Sequence, residues 1–123
     1  MPSRLELADS PARVAVVIPA FRVARHIENV IRGLPDFISD VIVVDDASPD
    51  ETAQIVDGLA DPRIHLLRHE RNGGVGAAMI TGYRHALDLG ADVVVNSAGA
   101  RARPSFQMKS ISALMVASAS RAS

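Results

Sequence analysis

The sequence predicts an α/β domain built on a parallel sheet of order 3-2-1-4, with helices on both faces. Three observations carry this. Short runs dominated by β-branched residues, Val14 to Ile18, Val41 to Val44 and Val93 to Val95, have the length and composition of strands buried on both sides. Stretches with apolar residues at helical spacing separate them. Polar or glycine-rich segments follow the second and third strands, where ligand sites collect in open parallel sheets. Strands alternating with helices of this length imply right-handed crossovers, and the expected order places the first and second strands at the centre.

Each element has its own justification. Residues 1–13 show no periodicity and form a lead-in. The first strand, Val14 to Ile18, is stopped by Pro19, which has no N–H to give to a ladder. Val23, Ile27, Val30, Ile31 and Leu34 share a helical face, and Gly33 and Pro35 end that helix. Val41 to Val44 is the second strand, followed by a helix from about Glu51 to Leu59 that Ser48 or Asp50 caps. After the Asp61-Pro62 turn, Arg63 to Arg68 forms a weaker third strand suited to an edge. The loop Asn72-Gly73-Gly74-Val75-Gly76 leads into a helix over Val75 to Leu89, with Val75, Met79, Tyr83, Ala86 and Leu87 as its buried side and Gly90 as its stop. Val93 to Val95 is the fourth strand.

Beyond Asn96 the pattern breaks. All 14 acidic residues lie in residues 1–92, whereas residues 93–123 hold four basic residues and no acid, and 14 of those 31 positions are Ala or Ser. Within this tail, Pro104 to Ala119 reads either as a helix packed on the sheet or as a segment without regular structure. The chain therefore divides into a lead-in (1–13), an α/β unit (14–96) and an Ala/Ser/Arg-rich tail (97–123).

Composition narrows the function classes. A net charge of −1 gives no reason to propose nucleic acid as a partner. The absence of cysteine excludes disulfides and thiolate metal sites. No apolar run approaches the length needed to cross a bilayer and the first residues lack a signal-peptide core, so the chain reads as soluble and cytoplasmic.

Candidate chemistry gathers at one edge of the predicted sheet. Pro19-Ala20-Phe21 follows the first strand, Asp45-Asp46 the second and the glycine loop the third. The adjacent carboxylates read either as substrate ligands or as a turn with a helix cap. The glycines either let backbone N–H groups approach an anion or only make a tight turn. A dinucleotide-binding fingerprint fits poorly, because no glycine follows the first strand until Gly33, and a Walker loop is absent. That leaves a dinucleotide-dependent oxidoreductase fragment as the weakest alternative. His26, His65, His69 and His85 have no metal-ligand spacing and read as surface or packing residues.

Four stretches together resemble family 2 glycosyltransferases of the polyprenyl- and dolichyl-phosphate sugar synthase type: Val-Val-Ile-Pro-Ala-Phe at 16–21, Val-Val-Asp-Asp-Ala-Ser-Pro-Asp-Glu-Thr at 43–52, Asn-Gly-Gly-Val-Gly-Ala-Ala at 72–78 and Gly-Ala-Asp-Val-Val-Val at 90–95. The resemblance implies a Rossmann-like unit, the N-terminal half of a GT-A fold, over Val14 to Val95. It further implies a nucleotide-diphosphate sugar as ligand and a lipid phosphate at a membrane surface, or a saccharide, as acceptor. By that resemblance Pro19, Ala20 and Phe21 line the pocket for base and ribose. Asp46, with Asp45 beside it, accepts hydrogen bonds from the base, Ser48 braces the turn, and Arg71, Asn72, Gly73, Gly74 and Gly76 lie against the nucleotide.

One departure matters most. The family places an Asp-x-Asp motif directly after the fourth strand, where it binds Mg²⁺ or Mn²⁺, and here Ala98-Gly99-Ala100 occupies that position. Neither the metal ligands nor the family's catalytic base is present, so no catalytic residue is assigned. The expectation is a nucleotide-sugar-binding half-domain that is truncated and inactive in transfer, or else a non-enzymatic remnant that self-associates through an exposed sheet edge. A shifted reading frame near codon 96 is one origin for such a tail.

Overall fold

The computed structural model describes residues 12–96 and the strand Met115–Ser118. Its strands are β1 (Val14–Ala20), β2 (Asp40–Asp45), β3 (Ile64–Arg68), β4 (Val93–Asn96) and β5 (Met115–Ser118), and its helices α1 (Ile27–Arg32), α2 (Thr52–Gly58) and α3 (Gly74–Asp88). The sheet order is β3-β2-β1-β4-β5, with β1 to β4 parallel in the expected 3-2-1-4 arrangement.

β1 runs past the proline expected to stop it. Val14 and Ala20 both turn their carbonyls to the β2 side, accepting from the N–H groups of Ser39 (2.8 Å) and Asp46 (2.9 Å). Pro19, of opposite parity, therefore faces the β4 side, where among the described residues the pairing runs only to Val17 opposite Asn96. Its missing N–H costs no bond to β2, so the strand continues beside β2.

The alternating faces of the strands build two cores. Val16, Ile18, Val41 and Val43 pack against Ile27, Val30 and Ile31 of α1 and Val56 of α2. On the opposite face, Ala15, Val17, Ile42, Val44 and Val94 meet Ala78 and Ala86 of α3. The buried stripe of α3 is thus Ala78, Gly82 and Ala86, at i, i+4 and i+8, whereas Val75 (61% exposed) and Leu87 (54% exposed) face outward. Apolar bulk alone favours Val75 and Leu87 for the buried side. Packing followed smallness instead, because β1 presents Val17 to the helix so closely that a Cβ added at Gly82 runs into that side chain. Met79 and Tyr83 are half-buried beside this stripe, and burial raises the Tyr83 pKa.

Of the segment read as helix or irregular chain, Met115–Ser118 is a strand, antiparallel to β4, with an irregular register between Val93 and Val95. The rest of that segment lies outside the described residues. The outer N–H and C=O groups of β4 need partners, and a returning strand supplies them. The outer side of β4 is therefore paired with β5.

The amino-terminal edge of the parallel strands is tied electrostatically. Arg13 donates from Nε and Nη2 to the Asp40 carboxylate at 2.8 and 3.3 Å, and its backbone N–H reaches Asp92 Oδ2 at 2.8 Å. His65 lies 3.0 Å from Asp40 Oδ1, and His85 packs edge-on against it. The Arg13 guanidinium first, and His65 second, hold the Asp40 carboxyl below its usual range against the opposing effect of burial. An open pocket of about 720 Å³, lined by Ala12 to Val14 and Asp36 to Asp40, lies at this end and shares no residue with the predicted site.

Candidate functional site

The three predicted loops do meet, at the carboxyl edge of the sheet, and Asp46 is where they join. Its backbone N–H donates to Ala20 O (2.9 Å), binding the loop after β1 to the loop after β2. Its carboxylate accepts from Gly73 N–H at Oδ1 (2.9 Å) and Gly74 N–H at Oδ2 (2.8 Å), while the Asn72 side-chain amide donates to its carbonyl (3.2 Å). His69 Nδ1 lies 2.7 Å from Oδ1, and its Nε2 lies 2.8 Å from Thr81 Oγ1 on α3. Burial pushes the Asp46 pKa up, but the Gly73, His69 and Gly74 bonds together outweigh it and hold the carboxyl below its usual range.

Asp45 plays a different part. It ends β2, its side chain is 0% exposed, and Oδ1 accepts the Ser48 N–H at 3.2 Å. Oδ2 has no hydrogen-bond partner among the described residues; Arg68 Nε stands 3.3 Å away, close enough for ion pairing but not aligned to donate. Ser48 in turn accepts the Arg22 N–H at 2.9 Å. Two residues further on, Asp50 accepts from the Thr52 N–H (3.1 Å) and hydroxyl (2.6 Å), and the Thr52 oxygen takes the Val23 N–H at 3.1 Å. Asp50 thus takes the N–H of the first residue of α2, while Ser48 and the Thr52 hydroxyl brace the neighbouring loop.

Each rim loop bends through a left-handed residue: Arg22 (φ 58°) after β1, Ala47 (φ 62°) after β2 and Gly74 (φ 91°) after β3. For Arg22 and Ala47 such backbone is strained, and non-glycine residues in it gather at functional sites. The hydrogen bonds above hold the strain in place.

Of the sequence-predicted residues, Pro19, Ala20, Asp45 and Asp46 are buried, Ser48 and Gly74 half-buried, and Phe21, Arg71, Asn72, Gly73 and Gly76 exposed. Phe21 is 41% exposed, with the Arg22 guanidinium 5.4 Å from its ring centroid. Asp46 is 3% exposed and its oxygens already take three donors of roughly four possible, so its carboxylate supports the rim from beneath. The sequence reading missed His69, Thr81, Arg68 and Thr52. One signal was available for His69: with β2 and β3 adjacent and parallel, pairing Asp45 with Arg68 puts Asp46 beside His69.

The donor set for a divalent ion does not fit. Among the described residues no group of three or more His, Asp or Glu side chains is placed to hold a metal. Both rim carboxylates are buried, Asp46 with three donors and Asp45 with one oxygen beside Arg68, and Asn96 offers one buried side-chain oxygen at the end of β4. Among the described residues no helix is long and apolar enough to cross a membrane.

Comparison with known proteins agrees with this geometry. Residues 15–89 match the family described as Glycosyl transferase family 2. An undecaprenyl-phosphate mannosyltransferase from Micrococcus luteus is 40% identical over 87 residues, 68% of this chain and 36% of the relative. A UDP-N-acetylglucosamine–dolichyl-phosphate N-acetylglucosaminyltransferase from Methanococcus voltae is 34% identical over 97 residues, 67% of this chain and 39% of the relative. The chain thus spans little more than a third of the length of these relatives. Glucosyl-3-phosphoglycerate synthase from Mycobacterium tuberculosis, solved with Mn²⁺, UDP-glucose and phosphoglyceric acid, superposes with a TM-score of 0.53 at 26% identity, covering 75% of this chain and 34% of that one. The chain belongs to glycosyl transferase family 2, and its fold is the Rossmann-like part of a GT-A glycosyltransferase.

Proposed function

We propose that the carboxyl-edge rim binds a nucleoside-diphosphate sugar. The observation that carries this reading is the locking together of three loops through Asp46, which leaves exposed groups of the right chemistry around a fixed frame. Phe21 offers a ring face for a base, and Arg22, Arg68 and Arg71, all exposed, supply positive charge for a diphosphate. The N–H groups of Gly73 and Gly74 are spent on Asp46, whereas those of Val75 and Gly76 have no carbonyl four residues back within α3 and are the free anion-facing donors of its first turn. Pro19, Ala20, Asp45, Asp46 and Ser48 hold the shape; Phe21, Arg71, Asn72 and Gly76 touch the ligand.

The acceptor is read from the relatives. Both named transferases act on polyprenyl or dolichyl phosphate, so an ionised lipid phosphate at a membrane surface is the proposed acceptor class for the full-length relatives' reaction. Such an acceptor needs no base to remove a proton. Here the residues aligned with the family's metal motif, Ala98-Gly99-Ala100, carry no side-chain oxygen, which favours binding without transfer in this chain.

Isothermal titration with UDP, GDP and their sugars, with and without Mn²⁺, tests both statements. Binding of at least one nucleotide, unchanged by Mn²⁺, is the expected result. No heat with any of them refutes the nucleotide reading. Mn²⁺-dependent transfer of labelled sugar to polyprenyl phosphate refutes binding without transfer.

A further inference from the structure

We propose that His69 is the positioning residue of this rim, joining β2, β3, the glycine loop and α3 at a single imidazole. The junction is built from four directions. The His69 backbone N–H donates to Asp45 O at 2.9 Å, so the residue stays in register one step beyond β3. Its Nδ1 meets Asp46 Oδ1 at 2.7 Å, its Nε2 meets Thr81 Oγ1 at 2.8 Å, and the same Asp46 oxygen takes the Gly73 N–H.

Donor and acceptor rules fix the tautomer. Asp46 is accepting backbone N–H groups and acts as an acceptor toward the ring, so Nδ1 carries the proton. In the neutral ring Nε2 is then an acceptor, and the Thr81 hydroxyl must donate. The chain of donation runs from Thr81 to His69 to Asp46, and Asp46 receives the two glycine N–H groups. The imidazole, held at both nitrogens, adds a third bond to the Asp46 carboxylate beside its two glycine N–H bonds and ties that carboxylate to α3 through Thr81.

The loop has little freedom to compensate. A Cβ added at Gly73 comes within 2.9 Å of the Ala77 Cβ, so the loop is already pressed against the first turn of α3. The His69 side chain is about one-fifth exposed, and no step of the proposed binding uses it as a ligand contact. Its effect on nucleotide affinity, which rests on the rim reading above, is therefore indirect.

Three variants of the full chain test this: His69→Ala, His69→Asn, whose amide can replace Nδ1–H, and Thr81→Val. Amide hydrogen exchange at Gly73 and Gly74 reads the clamp without any nucleotide, and imidazole ¹⁵N shifts read the tautomer. UDP titration reads the consequence for binding. His69→Ala is expected to speed exchange at both glycines and to weaken UDP binding by about tenfold, the scale on which removing a group that orients a ligand-holding side chain acts. His69→Asn restores most of both effects, and Thr81→Val gives a smaller loss in the same direction.

Unchanged glycine exchange in His69→Ala overturns the proposal, as does a ring protonated on Nε2 alone in the parent chain. Failure of His69→Asn to improve on His69→Ala also counts against it. Should His69→Ala not fold, Thr81→Val and the tautomer decide. A parent chain that shows the Nδ1–H tautomer and protected glycine amides but binds neither UDP, GDP nor their sugars removes the nucleotide reading and leaves the clamp standing.

Discussion

Asp46 shows how one buried side chain can lock three loops together. An Asp46→Asn substitution keeps the shape but replaces one acceptor oxygen with an NH₂ group, which faces an N–H of the glycine loop or of His69 whichever way it turns. Loss of a buried, charge-assisted bond of this kind is expected to cost about 2 kcal/mol, read by urea denaturation at pH 7. The pH dependence has a defined sign. The carboxyls of Asp40, Asp46 and Asp50 all have folded-state pKa values below the ordinary range. For Asp40 the leading cause is the Arg13 guanidinium; for Asp46 and Asp50, hydrogen bonds overcome the upward push of burial. Their contribution is fully present above the unfolded carboxylate value of about 4 and is lost as pH falls through the depressed folded values. Urea midpoints should therefore be level from pH 7 to about 5 and fall steeply below about 4, with a shallower fall in Asp46→Asn.

At the scale of elements, α3 and β1 decide how closely helix and sheet approach. Gly82→Ala puts a methyl group into the Val17 side chain and is expected to destabilise by about 1–3 kcal/mol, whereas Leu87→Ala, on the outward face, should stay within about 0.5 kcal/mol. Thermal melts of the two variants check the contrast. This helix also marks a limit of what periodicity reveals. Its position and length were legible from the glycine loop before it and Gly90 after it, the latter indeed left-handed at φ 82°. Its buried face was legible only in part: Ala86 is buried and Met79 and Tyr83 half-buried as expected, but the bulk of Val17 on the facing strand selects Ala78 and Gly82 over Val75 and Leu87. The strands were easier to read. Val41 to Val44 is buried on both faces and admits no other reading, while Pro19 misled because its consequence depends on which neighbour its missing N–H faces.

Across the whole molecule, the order of the four parallel strands followed from the alternation of elements, and with it the meeting of three loops at one edge. The contents of that edge were legible as residue types but not as roles. Two adjacent aspartates look alike in sequence, yet one points into the junction with the glycine loop and the other toward Ser48 and Arg68, because successive side chains on a strand face opposite ways. β5 lay beyond reach, since a short strand pairing with β4 has no periodicity to distinguish it from a helix fragment.

The direction of β5 carries a practical corollary. Running against β4, it brings Ser118 level with Val93, at the floor of the sheet on the side away from Asp46 and the glycine loop. An affinity handle or surface tether joined after Ser118 starts from that floor, so immobilised protein presents its upper edge to solution. Nucleotide titrations on a sensor chip should then match those in free solution, while a fluorophore placed there should be blind to ligand.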